Sequence, residues 1–316
     1  MPDLPPVTIV TPSFNQGLFI EHTIQSVLSQ DYPDIEYLVI DGGSTDETLQ
    51  VLRRYEDRLS WTSEPDRGQS HALNKGFQRA KGEILAWLNS DDVYLPGAIT
   101  DSVTFLQEHP DVDLVYGDIQ FIDEHGNILA EEIRSRPFSL TTLLTQFGSI
   151  QQQSAFFRRR LLEKIGGINE NLHYVMDTEL WIRIALHGKG HYYPGVRAQS
   201  RVHSAAKSMA FQPRFWAEHR QVLDALFAQK ELPEKVHRIR REAYAHCELY
   251  WGDHLIQAGD RTQARPHLWY AARTHPRPRR RLIALLLLID SWLGTGLAAA
   301  ARGLRNRIEG HPHPWE

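Results

Sequence analysis

Two adjacent carboxylates, Asp91 and Asp92, follow Asn89 and Ser90 directly behind the apolar run Ile84-Leu85-Ala86-Trp87-Leu88. Carboxylates so placed repel each other unless a cation or a donor compensates, and a divalent metal, Mn2+ or Mg2+, is their natural partner. The plain alternative is a solvated turn whose Asp caps the next helix. Three other short segments carry related chemistry: Thr11-Pro12-Ser13-Phe14-Asn15, Asp41-Gly42-Gly43-Ser44 and Glu64-Pro65-Asp66-Arg67-Gly68. Hydroxyl and amide side chains in the first suit a base or ribose. In the second, two glycines admit close backbone approach and Asp41 can accept hydrogen bonds. Each alone is also the composition of a turn. The chain has no Gly-x-Gly-x-x-Gly and no Gly-Lys-Ser/Thr, so a nucleotide bound here needs a metal to neutralise its phosphates.

These segments sit where strands should end. A strand apolar along its whole length is covered on both faces, and its first polar residues emerge at the C-terminal edge, where open α/β sheets bind ligands. The pattern predicts strands at 7–10, 35–40, 59–62 and 84–88, and helices at 18–30, 45–55 and 69–80. Ser44-Thr45-Asp46-Glu47 has the form of a capping box for the second helix. This βαβαβ rhythm implies an α/β fold with a doubly wound, mostly parallel sheet. Further on, 114–122 and 127–133 read as a hairpin and 153–158 as a strand. Residues 178–187 read as a helix with Leu180, Trp181, Ile184 and Ala185 on its buried stripe.

The domain built on this sheet is expected to end near residue 210, followed by helices over 211–276 and a tail over 277–316. Residues 249–276, with Leu249, Tyr250, Gly252, Ala264 and Pro276, resemble one tetratricopeptide-like helical hairpin; a plain helical pair packed on the main domain is the alternative. The chain of 316 residues is 41% hydrophobic and 23% charged, as expected for a globular protein. Its net charge of −4 argues against nucleic acid as a partner, but from Arg261 onward ten arginines face three acids, a net of +7. In the tail, Arg277-Pro278-Arg279-Arg280-Arg281 precedes an apolar stretch interrupted by Asp290. The expectation is a helix lying on an anionic membrane surface, with burial against the helical hairpin as the alternative. The single cysteine, Cys247, excludes an intramolecular disulfide and a cysteine-based zinc cluster. Met1 to Pro6 has neither a basic nor an apolar leader region, so the expected location is cytoplasmic, peripheral at the inner face of the membrane.

Taken in order, Val7 to Asn15, Val39 to Asp46, Glu64 to Gly68 and Trp87 to Asp92 resemble the family 2 glycosyltransferases over roughly residues 7–207. The resemblance implies a GT-A fold, a nucleotide-diphosphate sugar donor, a divalent cation and inversion at the anomeric carbon. It puts Thr11, Pro12, Asp41 and Asp66 around the base and ribose, with Ser13, Asn15, Gly68 and Asn74 in the same donor site. The family's Asp-x-Asp falls on Asn89-Ser90-Asp91, which leaves Asn89 for a hydroxyl, Asp91 for the metal and Asp92 in support. His203 lies where the family often has a histidine near the diphosphate and is the second metal candidate. The family's second acidic pair falls on Met176-Asp177, making Asp177 the catalytic base, with a helix N-cap as its other reading and Glu179 as the weaker choice. Gln152 and Gln153, in the run Gln151 to Gln153, resemble the acceptor side; an amphipathic edge strand is the alternative. Arg67, Lys75 and Lys207 are candidate neighbours of the diphosphate. The expected reaction extends a glycan, lipid-linked or otherwise, of a cell-surface polysaccharide. Two other functions fit the same segments: a nucleotidyltransferase that makes a nucleotide-sugar, although residues 11–17 offer no Lys or Arg for a triphosphate, and a non-catalytic glycan-binding or assembly protein.

Overall fold

A computed structural model describes residues 4–146, 148–204 and 213–309. The chain divides into two compact units, Met1–Leu143 with Gly148–His203 and Leu144–Phe147 with Ser204–Glu316. The first contains nine strands in one sheet. Its elements are β1 (Val7–Ser13), α1 (Ile20–Leu28), β2 (Ile35–Asp41), α2 (Thr48–Arg53), β3 (Ser60–Ser63), α3 (Gln69–Arg79), β4 (Ile84–Trp87), β5 (Val93–Tyr94), α4 (Ala98–Glu108), β6 (Leu114–Ile122) and β7 (Ile128–Ile133). They are followed by α5 (Leu140–Thr145), β8 (Phe156–Arg158), α6 (Arg159–Ile165), α7 (Met176–His187) and β9 (Gly190–Arg201).

The sheet order is β3-β2-β1-β4-β8-β6-β9-β5, with β7 paired to β6. Strands β1 to β4 run parallel, β8 is antiparallel to both β4 and β6, and β6 pairs in parallel with β9. The order reverses between β1 and β4, which makes the C-terminal ends of those strands the crevice of the sheet. Proline explains how it opens. Strands β1 and β4 pair only from Val7 with Ile84 to Val10 with Trp87, and then separate. Pro12, which has no N–H to give, stands just beyond that separation while β1 stays paired with β2 through Ser13.

Local chemistry moves several expected boundaries. The second helix starts at Thr48 rather than 45, because the Ser44 hydroxyl donates to Asp41 and accepts from the Asn15 N–H instead of capping. Asp46 takes over, accepting from the N–H of Thr48 and of Gly17. The strand expected at 153–158 is reduced to β8, and Gln152–Ser154 form a 3-10 turn. The helix expected from 178 begins at Met176, and Val175 occupies its N-cap without a side-chain bond, so Asp177 lies inside the first turn and is not the cap. Helix α7 is anchored to β4 by the stacked rings of Trp181 and Trp87, 5.5 Å apart, with Phe157 and Phe77 edge-on around them.

The second unit is helical: α8 (Pro213–Phe227), α9 (Glu234–Gln257), α10 (Arg261–Thr274), α11 (Pro278–Leu293) and α12 (Leu297–Glu309). The α9–α10 pair packs closely at Gly252, where an added Cβ would lie 2.5 Å from Leu268. No break separates the tail, since α11 packs on α10 and α12 on α11. Pro278 opens α11, and Gly294, in the left-handed conformation, closes it.

Candidate active site

At the C-terminal ends of β1, β2 and β3, buried side chains build the loops and partly exposed ones face outward. Asp41 is buried, and its carboxylate accepts from the N–H of Gly43 and Ser44 and from the hydroxyls of Ser44 and Ser63. Thr11, also buried, shares a hydrogen bond with Tyr37. These two expected donor contacts are therefore engaged in shaping the strand ends. Pro12 is buried at the divergence of β1 and β4, and Asn15, at φ 52°, bridges to the Ser44 and Thr45 loop. Ser13 differs. Its hydroxyl is buried without a hydrogen-bond partner among the described residues, at the edge of the sheet. Asp66 accepts from the Gly68 N–H through one oxygen, and its other oxygen lies over Gly42, where a Cβ would come within 2.9 Å. Gly42 is thus glycine because a carboxylate occupies the space of a side chain. Gly68, at φ 109°, turns the chain into α3. Asn74 is placed elsewhere: its amide clasps Ile168 and Glu170.

The acidic motif is held from four directions. Asn89 donates to Asp92 at 3.1 Å and to Gln152 at 3.2 Å, and accepts from Gln69 at 2.7 Å. Its amide is engaged within the protein rather than left for a sugar hydroxyl. An Asp at this position would put a third carboxylate beside Asp91 and Asp92, whereas an amide can donate. Asp92 is buried, accepting also from Gln153 and from the backbone N–H of Arg201. Burial, reinforced by the neighbouring Asp91 charge, pushes its carboxyl up to about 7. The Thr23 hydroxyl holds the Asp92 carbonyl, and the Arg201 guanidinium holds the carbonyls of Asp91, Asp123 and Glu124.

Gln152 and Gln153, expected on the acceptor side, face inward. Gln152 donates to the Trp87 carbonyl, and Gln153 links Asp92 to Ser200. Gln152 is buried, and Gln153, half-buried, ties the motif to β9. Asp91 and His203, the two residues expected at a metal, lie side by side. Asp91 Oδ2 lies 3.1 Å from His203 Nε2, the carboxylate is 20% exposed, and the imidazole is packed on Phe19.

Asp177 is partly exposed on the first turn of α7, where its carboxylate accepts from the Thr178 N–H. Burial raises its carboxyl above the ordinary carboxylate value, a direction that suits a proton acceptor. Met176, at the position of the absent first acid, is buried against the Ser70 hydroxyl of α3. Glu179 is committed to an ion pair with Arg183 at 2.7 Å, which leaves Asp177 as the available carboxylate of that turn. Arg67 is paired with Glu170 and Lys75 with Glu64; Lys207 lies outside the described residues.

Glycosyl transferase family 2 has a model that matches residues 8–166, half of the chain. The chain belongs to this family. As a family 2 glycosyltransferase it is 32% identical over 210 residues to an uncharacterized glycosyltransferase of Rickettsia felis, covering 63% of this chain and 35% of that one. It therefore spans about a third of that relative's length. It is similar to S. aureus TarS 1–349 in complex with UDP-GlcNAc, with a TM-score of 0.64 and 17% identity over 97% of this chain and 92% of that one. It is also similar to a mannosyltransferase from Pyrobaculum calidifontis in complex with GDP-Man and Mn2+, with a TM-score of 0.62 and 23% identity over 96% and 86% of the two chains. At these identities the likeness shows the fold, which is the GT-A type. Two residues beside the site received no role from the motifs. Phe14 is 60% exposed directly after a fully buried strand, and that change of exposure was the available signal. Arg201, whose backbone and guanidinium fix both acids, carried no signal beyond its place two residues before His203.

Proposed function

We propose that this glycosyltransferase moves a sugar from a nucleotide-diphosphate donor to a hydroxyl of a glycan acceptor, with inversion at the anomeric carbon. The observation that carries the reading is the approach of Asp91 and His203 to 3.1 Å at the strand ends that also present Ser13 and Asp66. Phe14 would offer a ring face to the base, and Ser13 and Asp66 would take its polar edges and the ribose.

The donor set fits a divalent cation. A partly exposed carboxylate and an imidazole are two protein ligands, and diphosphate oxygens and water would complete the shell. No group of three or more His, Cys, Asp or Glu side chains able to hold a metal occurs among the described residues. Asp91 and His203 would hold the ion, which supplies positive charge against the leaving diphosphate. UDP-GlcNAc with TarS, and GDP-Man with Mn2+ in the mannosyltransferase, support a nucleotide-sugar donor and a cation.

In the transfer, the acceptor oxygen attacks the anomeric carbon from the face opposite the diphosphate. The bond to the phosphate oxygen breaks with its electron pair, and Asp177 takes the acceptor's proton. The acceptor class is a cell-surface glycan, and a lipid-linked one would bring the reaction to the inner face of a membrane.

The test is calorimetry with UDP and GDP, with and without Mn2+, followed by a screen of nucleotide-sugars for hydrolysis. Metal-dependent binding that disappears in Asp91→Ala is expected. Binding and turnover unaffected by Asp91→Ala would sink the assignment. Release of pyrophosphate from a nucleoside triphosphate would point to a nucleotidyltransferase instead, and metal-independent glycan binding without turnover to an assembly protein.

A further inference from the structure

Helix α11 is apolar on two opposite faces, and only one of them is used in packing. Ile283, Ala284 and Leu287 are buried, together with Asp290, whose carboxylate turns inward to Arg261 at 3.6 Å and to Thr295. The opposite face carries Leu282, Leu285, Ile289, Trp292 and Leu293, all exposed, with Trp292 at 66% and Leu293 at 69%. Their spacing keeps them along one side of the helix. Trp269 and Tyr270 of α10 are exposed as well. Scattered exposed hydrophobics are ordinary, but a continuous stripe marks a surface that meets something.

Charge identifies what it meets. From Arg261 to Ile308 the sequence contains a single acid, Asp290, and that acid is buried. The stripe is bordered by arginines. Arg265 lies over the Trp292 ring at 3.7 Å, Arg273 over Trp269 at 5.7 Å, and Arg279 is exposed in the first turn of α11. Aromatic rings beside guanidinium groups, around an apolar stripe, form the arrangement of a helix lying in a headgroup layer. No helix among the described residues is long and apolar enough to cross a membrane. Two copies joined through this face would bring arginine borders of like charge together, which disfavours self-association.

We propose that this face docks on an anionic phospholipid surface. The outward residues of α11 enter the boundary between headgroups and acyl chains, and Arg273 and Arg279 meet the phosphates. The proposal stands apart from the transferase reading, because the groups concerned all lie in the helical unit.

Flotation of the full chain with phosphatidylglycerol-containing vesicles tests it, with pure phosphatidylcholine vesicles and raised salt as contrasts. Binding to the anionic vesicles alone, weakened by salt, is expected. Leu285→Glu combined with Ile289→Glu should reduce binding about tenfold or more, and Arg273→Gln and Arg279→Gln about fivefold each. Since these side chains are exposed, melting and metal-dependent nucleotide binding should not change, so failure of docking and failure of the transferase reading remain distinguishable. Absence of flotation with anionic vesicles, or flotation indifferent to the Leu285/Ile289 variant, overturns the proposal. A lipid-free dimer in sedimentation velocity that the same variant dissociates also overturns it, in favour of a second copy.

Discussion

Three buried acids in the helical unit meet arginines: Asp253 accepts from Arg302 and Arg305, Glu248 from Arg220, and Asp290 faces Arg261. In the sheet unit they meet neutral donors. Asp41 is held by N–H groups and serine hydroxyls, Asp92 by amides and a backbone N–H, and Asp118 by Tyr192 and the N–H groups of Ser135 and Gly195. The difference matters because an ion pair cancels charge, whereas a hydrogen bond from a neutral donor positions a carboxylate without cancelling it. The sheet unit thus positions its buried carboxylates with neutral donors, and the helical unit consumes its acids internally and leaves arginine outside.

If the contrast holds, substitutions in the sheet site should reduce rate at little cost in stability, and substitutions in the helical pairs should do the reverse. The largest expected effect is that of Asp177→Asn. Transfer per folded molecule should fall by about a hundred- to ten-thousandfold, with metal-dependent nucleotide binding and melting temperature retained. A variant that melts earlier and turns over normally would reduce Asp177 to a structural residue.

Asp253→Ala comes next. It removes the carboxylate shared by Arg302 and the buried Arg305, at a cost of about 3–5 kcal/mol. Chemical denaturation should reveal that loss while the sheet unit still binds nucleotide, and a loss well under 1 kcal/mol would mean that the pair behaves like a surface contact.

Acidification should separate the two units further. Burial lowers His219, His254 and His275 to about 4 from an ordinary 6.5. Between those values the unfolded chain takes up protons that the folded unit refuses, so stability is complete above 6.5 and falls as pH drops towards 4. Burial moves Asp177 in the opposite sense, and the same descent costs the sheet unit nothing through that residue. Hydrogen exchange at pH 5 and pH 8, resolved by segment, should show the helices opening first; uniform opening would erase the distinction.

The smallest effect concerns Asn89→Asp, which exchanges a donor to Asp92 for a third carboxylate. A loss of about 1–2 kcal/mol without metal is expected, with part of it restored by Mn2+. A loss that Mn2+ leaves untouched would show that the field at this edge is not tuned for a cation.

Sheet architecture was legible because parallel strands covered on both faces are written as apolar runs; Ile84 to Leu88 is one, and Val7 to Val10 is another broken only by Thr8. The approach of Asp91 to His203 was legible only through the resemblance, since no local pattern relates residues 112 positions apart. Side-chain direction was harder. Gln152 and Gln153 look the same in sequence whether their amides face a sugar or the Trp87 carbonyl, and Ser44 looks like a cap until Asp41 competes for its hydroxyl. For α11, a single stretch of leucines supported both burial and surface contact, and Asp290 marks which side is which.

The bonds that hold Asp92 also bear on how the protein folds. They reach Thr23, Gln153 and Arg201 across 69, 61 and 109 residues of chain. Contacts of such separation form only after the intervening segments have closed, which places assembly of the acidic motif late in folding. A nascent chain can complete β1 to β4 while the acids still lack their fastenings. A fragment ending at residue 166, where the family match ends, would lack both Arg201 and His203. On the proposed reading, competence to hold a cation would come only with the segment that carries these two residues, and cation binding would report that the sheet has closed.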